Sequence, residues 1–235
     1  MAQEQLTLDL QIRPAPSLGN FAVGDNAELV AVLSAVENAR PSAQFIYIWG
    51  GAGVGRTHLL HAIDPLAGFE RVPRFAPGRR IYTVDDVDAL SEPEQQQLFD
   101  LMNEVHAHPG SGGVPDYCLV TAGSRPPSQM KGRPDVLSRL SWGLVFQVRP
   151  LTDEQKDRAL AKIARDSRIE LPDDARQWLL LHLPRDMGTL TEAVFEVERY
   201  ALKTSRRVTR ALVRQCFAPK RAEEGQDDAR PQPSS

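Results

Sequence analysis

Cysteine is scarce: Cys118 and Cys216 are the two in 235 residues, nearly a hundred positions apart. That excludes a disulfide framework and any cysteine-based zinc pattern. A basic field is also absent. Lys plus Arg number 28 against 31 Asp plus Glu, a formal net charge of −3. No global attraction therefore draws the chain onto nucleic acid, and contact with DNA must be local or carried by a partner. Long apolar runs are missing, with nothing approaching the ~18 residues of a membrane-spanning helix. The N-terminus, MAQEQLTLDLQ, carries acids and no apolar core, so it does not read as a signal peptide. These gaps leave a soluble, cytoplasmic protein without membrane contact as the expectation. What is present is a globular composition, 41% hydrophobic and 25% charged, sufficient for a core domain and a small satellite.

The chain divides into four parts. Residues 1–19 read as a flexible tail in which Pro14, Pro16 and Gly19 interrupt regular structure. Residues 20–150 alternate strands and helices, and predict an α/β fold with a parallel sheet covered on both faces. Its strands are Gln44–Trp49, Ile81–Val84, Tyr117–Ala122 and Leu144–Val148. Helix 92–107 is capped by Ser91, has Pro93 in its first turn, and aligns Leu98, Leu101, Met102 and Val105 on one face. Residues 151–219 show no strand. The Thr152–Gln155 capping box opens the first of four short helices, which predict a small all-α unit. Residues 220–235 contain no large apolar side chain and are expected to be disordered.

The chemistry sits between the first strand and its helix. Gly50, Gly51, Ala52, Gly53, Val54, Gly55, Arg56 and Thr57 fit the phosphate-loop pattern except that arginine replaces lysine. Glycines let backbone amides turn around a phosphate, and the following helix adds its positive end. Thr57 can reach a magnesium ion. Arg56 is a wide planar fork where lysine is a compact point charge, so phosphate binding is expected to survive while placement of a transferable phosphate worsens. Ile81–Val84 then runs into Asp85 and Asp86, an apolar strand ending in two carboxylates. Asp85 suits magnesium, and Asp86 suits the orientation of an attacking water. Asp88 reads as a solvated loop acid.

Several further stretches resemble the AAA+ ATPases of the DnaA group. They are Asp25-Asn26 after an aromatic, Ser124-Arg-Pro-Pro127 after the third strand, and Ser138-Arg139-Leu-Ser-Trp142-Gly143. Within that group the chain is most similar to the regulatory inactivators of DnaA. The features are a phosphate loop reading G-x-G-R-[ST]-H-L-L-H-A, the box Pro134–Gly143, the opening Pro150–Lys156 and the N-terminal Gln5–Leu10. The resemblance implies a AAA+ P-loop base followed by a helical lid, with ADP, or ATP, held by residues 50–58, including His58. It implies Mg at Thr57 and Asp85, and a sensor 1 segment at Ser124. It implies an arginine finger at Arg139, acting on a neighbour's nucleotide. Gln5, Leu6, Leu8 and Leu10 would bind the DNA polymerase III sliding clamp, its beta subunit. The implied partners are DnaA and that clamp, with DNA met indirectly through it. The implied role is negative regulation of replication initiation, by stimulating hydrolysis of DnaA-bound ATP. Oligomeric state, a homo-oligomer included, stays open.

Departures from the group pattern sharpen this expectation. Thr57 and Asp85 are 28 residues apart, so a strand and helix of relatives are expected to be missing or shrunken. Ser124 stands where an acid or amide is usual. Gly188 stands where sensor 2 arginine is usual, with Arg185 a turn earlier as a weak substitute. No helix-turn-helix pattern is read after the helical block, so a protein other than the initiator is expected. Two alternatives remain: a self-contained ATPase of initiator or helicase-loader type, and a non-catalytic clamp adaptor. His58, His61, His106 and His108 are read as packing residues, Cys118 as inert core, and Arg206, Arg207 and Arg210 as a solvated face. Trp142 is expected to pack between the two blocks.

Overall fold

The computed structural model describes residues 14–218. Four strands, β1 (Phe45–Trp49), β2 (Ile81–Val84), β3 (Cys118–Gly123) and β4 (Leu144–Gln147), form a wholly parallel sheet in the order β2-β3-β1-β4. Successive residues point to opposite faces of a strand. Phe45 and Tyr47 of β1 face one core with Tyr82, Val84 and Leu119, while Ile46 and Ile48 face the other with Cys118, Val120 and Ala122. Burial on both faces explains why β1 and β3 read as continuous apolar runs, whereas β4 at the sheet edge alternates partly buried and exposed residues.

One face is covered by α1 (Ala27–Glu37) and α2 (Arg56–Ile63), the other by α3 (Glu92–Ala107) and α4 (Pro134–Arg139). Helix α3 buries Leu98, Leu101, Met102 and Val105, the stripe its sequence spacing predicts. Helix α1 was not anticipated, although Leu29, Leu33 and Val36 form its buried stripe. The expected tail is also more structured than its prolines and glycine suggest. Ser17 and Asn20 form a reciprocal cap around a 3-10 turn at Leu18–Asn20, and Leu18 packs against the α1–α2 core. Buried Asn26 ties this N-terminal segment to the end of the sheet. Its Nδ2 donates to the Arg149 carbonyl at 3.0 Å, and its Oδ1 accepts from the Arg149 amide at 2.7 Å.

Between α2 and β2, residues 64–80 hold neither strand nor helix. This segment covers the sheet edge through side chains. Tyr82 hydroxyl bonds the Ala76 amide and carbonyl, and buried Asp64 accepts from Thr83 at 2.9 Å and from Arg79 at 2.8 Å. The final block is a separate core of α5 (Asp153–Asp166), α6 (Asp173–His182), α7 (Met187–Lys203) and α8 (Arg210–Cys216). Leu190, Val194, Val197 and Ala201 of α7 line its centre. Thr152 opens α5 with the expected reciprocal cap to Gln155.

Candidate functional site

The glycine cluster leaves β1 and enters α2 through two left-handed residues, Gly53 at φ 75° and Gly55 at φ 97°. Side chains rarely adopt that region, which explains glycine at both positions. A Cβ at Gly55 would lie 2.8 Å from the Phe21 ring, and one at Gly53 would lie 2.5 Å from Asp186 Cβ at the start of α7. The loop is thus sandwiched between the N-terminal segment and the helical block. No side chain caps α2 at Gly55, so its first amides remain available to an anion. His58 packs beside Phe21 and its Nε2 lies 3.0 Å from the Ser17 carbonyl, holding that segment down.

The carboxyl ends of β1, β2 and β3 converge here, where open α/β sheets bind ligands. Thr57 Oγ1 donates to Asp85 Oδ2 at 2.5 Å. A hydroxyl and a carboxylate side by side suit Mg, which takes one or two protein oxygens and completes its shell with phosphate and water. Arg56, with its side chain only 13% exposed, pairs through Nη2 with Asp86 at 3.2 Å. Its other terminal nitrogen, Nη1, is buried without a hydrogen-bond partner. A buried unpaired donor is costly, and a phosphate oxygen would satisfy this one. These residues therefore fit a bound nucleotide. A cavity of about 280 Å³ opens next to Asp85 and Asp86, lined also by Thr57, His61, Arg71 and Thr83.

Asp88 differs from the expected solvated acid. One carboxylate oxygen accepts from the Ser124 amide at 2.9 Å and the other from Ser124 Oγ at 2.5 Å. Partial burial alone would raise its carboxyl, but these bonds, aided by the Arg56 charge, hold it below the ordinary value. Neither residue alone signals this pairing, because 36 positions separate them.

Arg139 lies at the end of α4, held by its own base rather than by the phosphate loop. Its guanidinium sits 3.9 Å from the Phe99 ring centroid and 4.7 Å from that of Trp142, and it donates to Asn103 Oδ1. Phe99 and Asn103 are four apart on α3, a face that helical spacing could have flagged. Trp142 does not pack between the blocks as expected. It is 46% exposed and meets Phe45 edge-on and His106 at a tilt, both in the base. Arg185 donates to Asp153 at 3.0 Å within the helical block. Cys118 is buried and its thiol pushed up to about 12 by that burial, as suits an inert core residue. His108 stacks on Phe75, and Arg206 donates to Gln215. Gln5, Leu6, Leu8, Leu10 and residues 220–235 lie outside the described residues.

Base and helical block together have an AAA+ fold of the DnaA kind. Domain III of Thermotoga maritima DnaA superposes with TM-score 0.67 at 20% identity, over 88% of this chain and 97% of that one. Aquifex aeolicus DnaA bound to AMPPCP gives 0.61 at 19%, over 82% and 68%. The Thermotoga maritima RuvB Holliday junction branch migration motor gives 0.61 at 15%, over 86% and 70%. Residues 153–217 match the family model described as Hda, lid domain. The base thus has the AAA+ fold seen in DnaA domain III, and residues 153–217 behind it are similar to the Hda lid domain.

Proposed function

We propose that this DnaA-related replication regulator holds ADP with Mg and promotes hydrolysis of ATP bound to DnaA, lowering initiation. The observation that carries the reading is the Arg56–Asp86 ion pair in a chain with an Hda lid. The cation that would serve a transferable phosphate is shared with the carboxylate that would orient water, which favours nucleotide holding over turnover. Gly188 at the sensor 2 position removes a second cation and points the same way. Loop amides from Gly50 to His58 and Arg56 Nη1 would bind phosphate, and Thr57 with Asp85 would hold Mg.

Gln5, Leu6, Leu8 and Leu10 would dock the chain on the DNA-loaded sliding clamp as an extended peptide. Arg139 would then exchange its Phe99 and Asn103 contacts for the phosphates of a DnaA neighbour. An arginine supplied in trans is worth ~10³–10⁵ in rate. The test is hydrolysis of DnaA-bound ATP with ADP, DNA-loaded clamp and this protein, wild type against Arg139→Ala. Acceleration by wild type and its loss in Arg139→Ala are expected; equal rates would sink the finger assignment. The Thr57–Asp85 contact favours a second reading, a self-contained ATPase, which steady ATP turnover by the isolated protein would support.

A further inference from the structure

From Arg199 to Ala218 the chain holds six cations and no carboxylate. In a chain whose formal net charge is −3, that makes a local positive field where α7 turns into α8. The geometry of this corner is fixed. Ser205 takes a left-handed φ of 50°, and the Arg206 amide returns to the Ala201 carbonyl at 3.0 Å, which turns the chain out of α7. Thr209 then caps α8 by accepting from the Leu212 amide at 3.2 Å. Arg206 donates to Gln215 at 2.8 Å, tying the turn to α8. Leu212 and Val213 face the core, while Arg210 and Arg214, four apart, share the outer side. Lys203, Arg206, Arg207, Arg210 and Arg214 are all exposed, and none reaches a carboxylate among the described residues. Glu196 and Glu198 sit more than a turn earlier on α7.

We propose that this corner, Lys203, Arg206, Arg207, Arg210 and Arg214, is a docking surface for the phosphate backbone of duplex DNA. Four of the five cations are arginine, whose planar fork fits phosphate oxygens in pairs. Single strands call for aromatic rings on which bases stack. Here Tyr200 and Phe217 pack against the helical core instead. A lipid surface calls for an apolar face beside the cations. Leu202, 66% exposed, is the lone large apolar side chain offered here. The surface therefore reads backbone charge without base sequence. Duplex DNA is also the polyanion that the replication role proposed above brings within reach.

The test is fluorescence anisotropy of a labelled DNA duplex of arbitrary sequence with the full chain, from about 50 to 200 mM salt. It uses no DnaA, clamp or nucleotide, so its failure is separate from failure of that role. Wild type should bind with log K falling against log salt at a slope of about −4 to −5. Arg207→Gln/Arg210→Gln/Arg214→Gln should weaken binding at least about tenfold at the lower salt and make the slope shallower by about 3. Arg158→Gln/Lys162→Gln/Arg165→Gln on α5 removes the same charge elsewhere in the helical block and should stay within about twofold of wild type. Arg207→Lys/Arg210→Lys/Arg214→Lys keeps the charge and should keep the slope, and melting midpoints verify folding of every variant. Equal losses in the two glutamine variants, a slope lost with lysine as well, or no duplex binding by wild type overturns the proposal. So does tighter binding of the single strand. A loss by the first variant on phosphatidylglycerol vesicles but not on the duplex overturns it in favour of a lipid surface.

Discussion

At the scale of single residues, two positions carry distinct physical demands. Gly143 closes the box Ser138–Gly143, and a Cβ there would collide with the Phe45 carbonyl oxygen and lie 3.1 Å from Phe45 Cβ. Its glycine is a packing requirement where β4 approaches β1, independent of any ligand. Gly143→Ala should lower stability by about 3 kcal/mol, because the obstacle is backbone and cannot rotate away; a denaturant midpoint measures this. Arg56 carries a chemical demand. Its fork spans Asp86 on one arm and leaves Nη1 for a phosphate. A lysine is a single point charge that cannot make both contacts in that geometry. Arg56→Lys should therefore release Asp86 and raise ATP affinity or turnover by the isolated protein. No change in either would detach Arg56 from nucleotide choice.

At the scale of elements, helix ends hold the site together. Asp186 caps α7, accepting from the Thr189 amide at 2.8 Å. Burial pushes its carboxyl upward, but hydrogen bonds from Thr189, together with the Asp186 and Gly188 amides, hold it below the ordinary carboxylate value. A lowered folded pKa contributes stability above the unfolded value of about 3.9, and that contribution is lost as pH falls through the folded value. Asp186→Ala should cost about 1 kcal/mol at neutral pH, and the gap between wild type and variant should close on acidification below about pH 4; thermal melts across that range check it. Elements with strong local signals were legible in the sequence. Helix α3 and the four lid helices declare themselves by caps and by apolar spacing, and the phosphate loop by its glycines between a strand and a helix. Helix α4, six residues long, is too short for periodicity to register. The 3-10 turn at Leu18–Asn20 is masked by the preceding Pro16 and by Gly19 within it. The Asp88–Ser124 pair and the Arg139 stack arise only when distant segments meet, so no local pattern announces them.

At the scale of the whole molecule, the phosphate loop and the N-terminal segment beside it touch the helical block. Gly53 lies against Asp186 at the start of α7, Gly24 against Leu151 and Gln155 at the start of α5, and Gln155 donates to Asp25 at 3.0 Å. The N-terminal cap of α7 thus rests on the turn that would grip a phosphate. A ligand bound to the native state alone stabilises it by about 2.7 kcal/mol at a hundredfold excess over Kd. Since the loop is packed on both sides, that stabilisation should reach beyond α2. Hydrogen exchange with ADP should show added protection in α2 and α7 together. Gly53→Ala separates the two. Its Cβ would press into Asp186 at a backbone angle that disfavours any side chain, so ADP binding should weaken and the added protection of α7 should vanish first. Protection confined to α2 in wild type would mean instead that the helical block rides on the base without sensing the nucleotide.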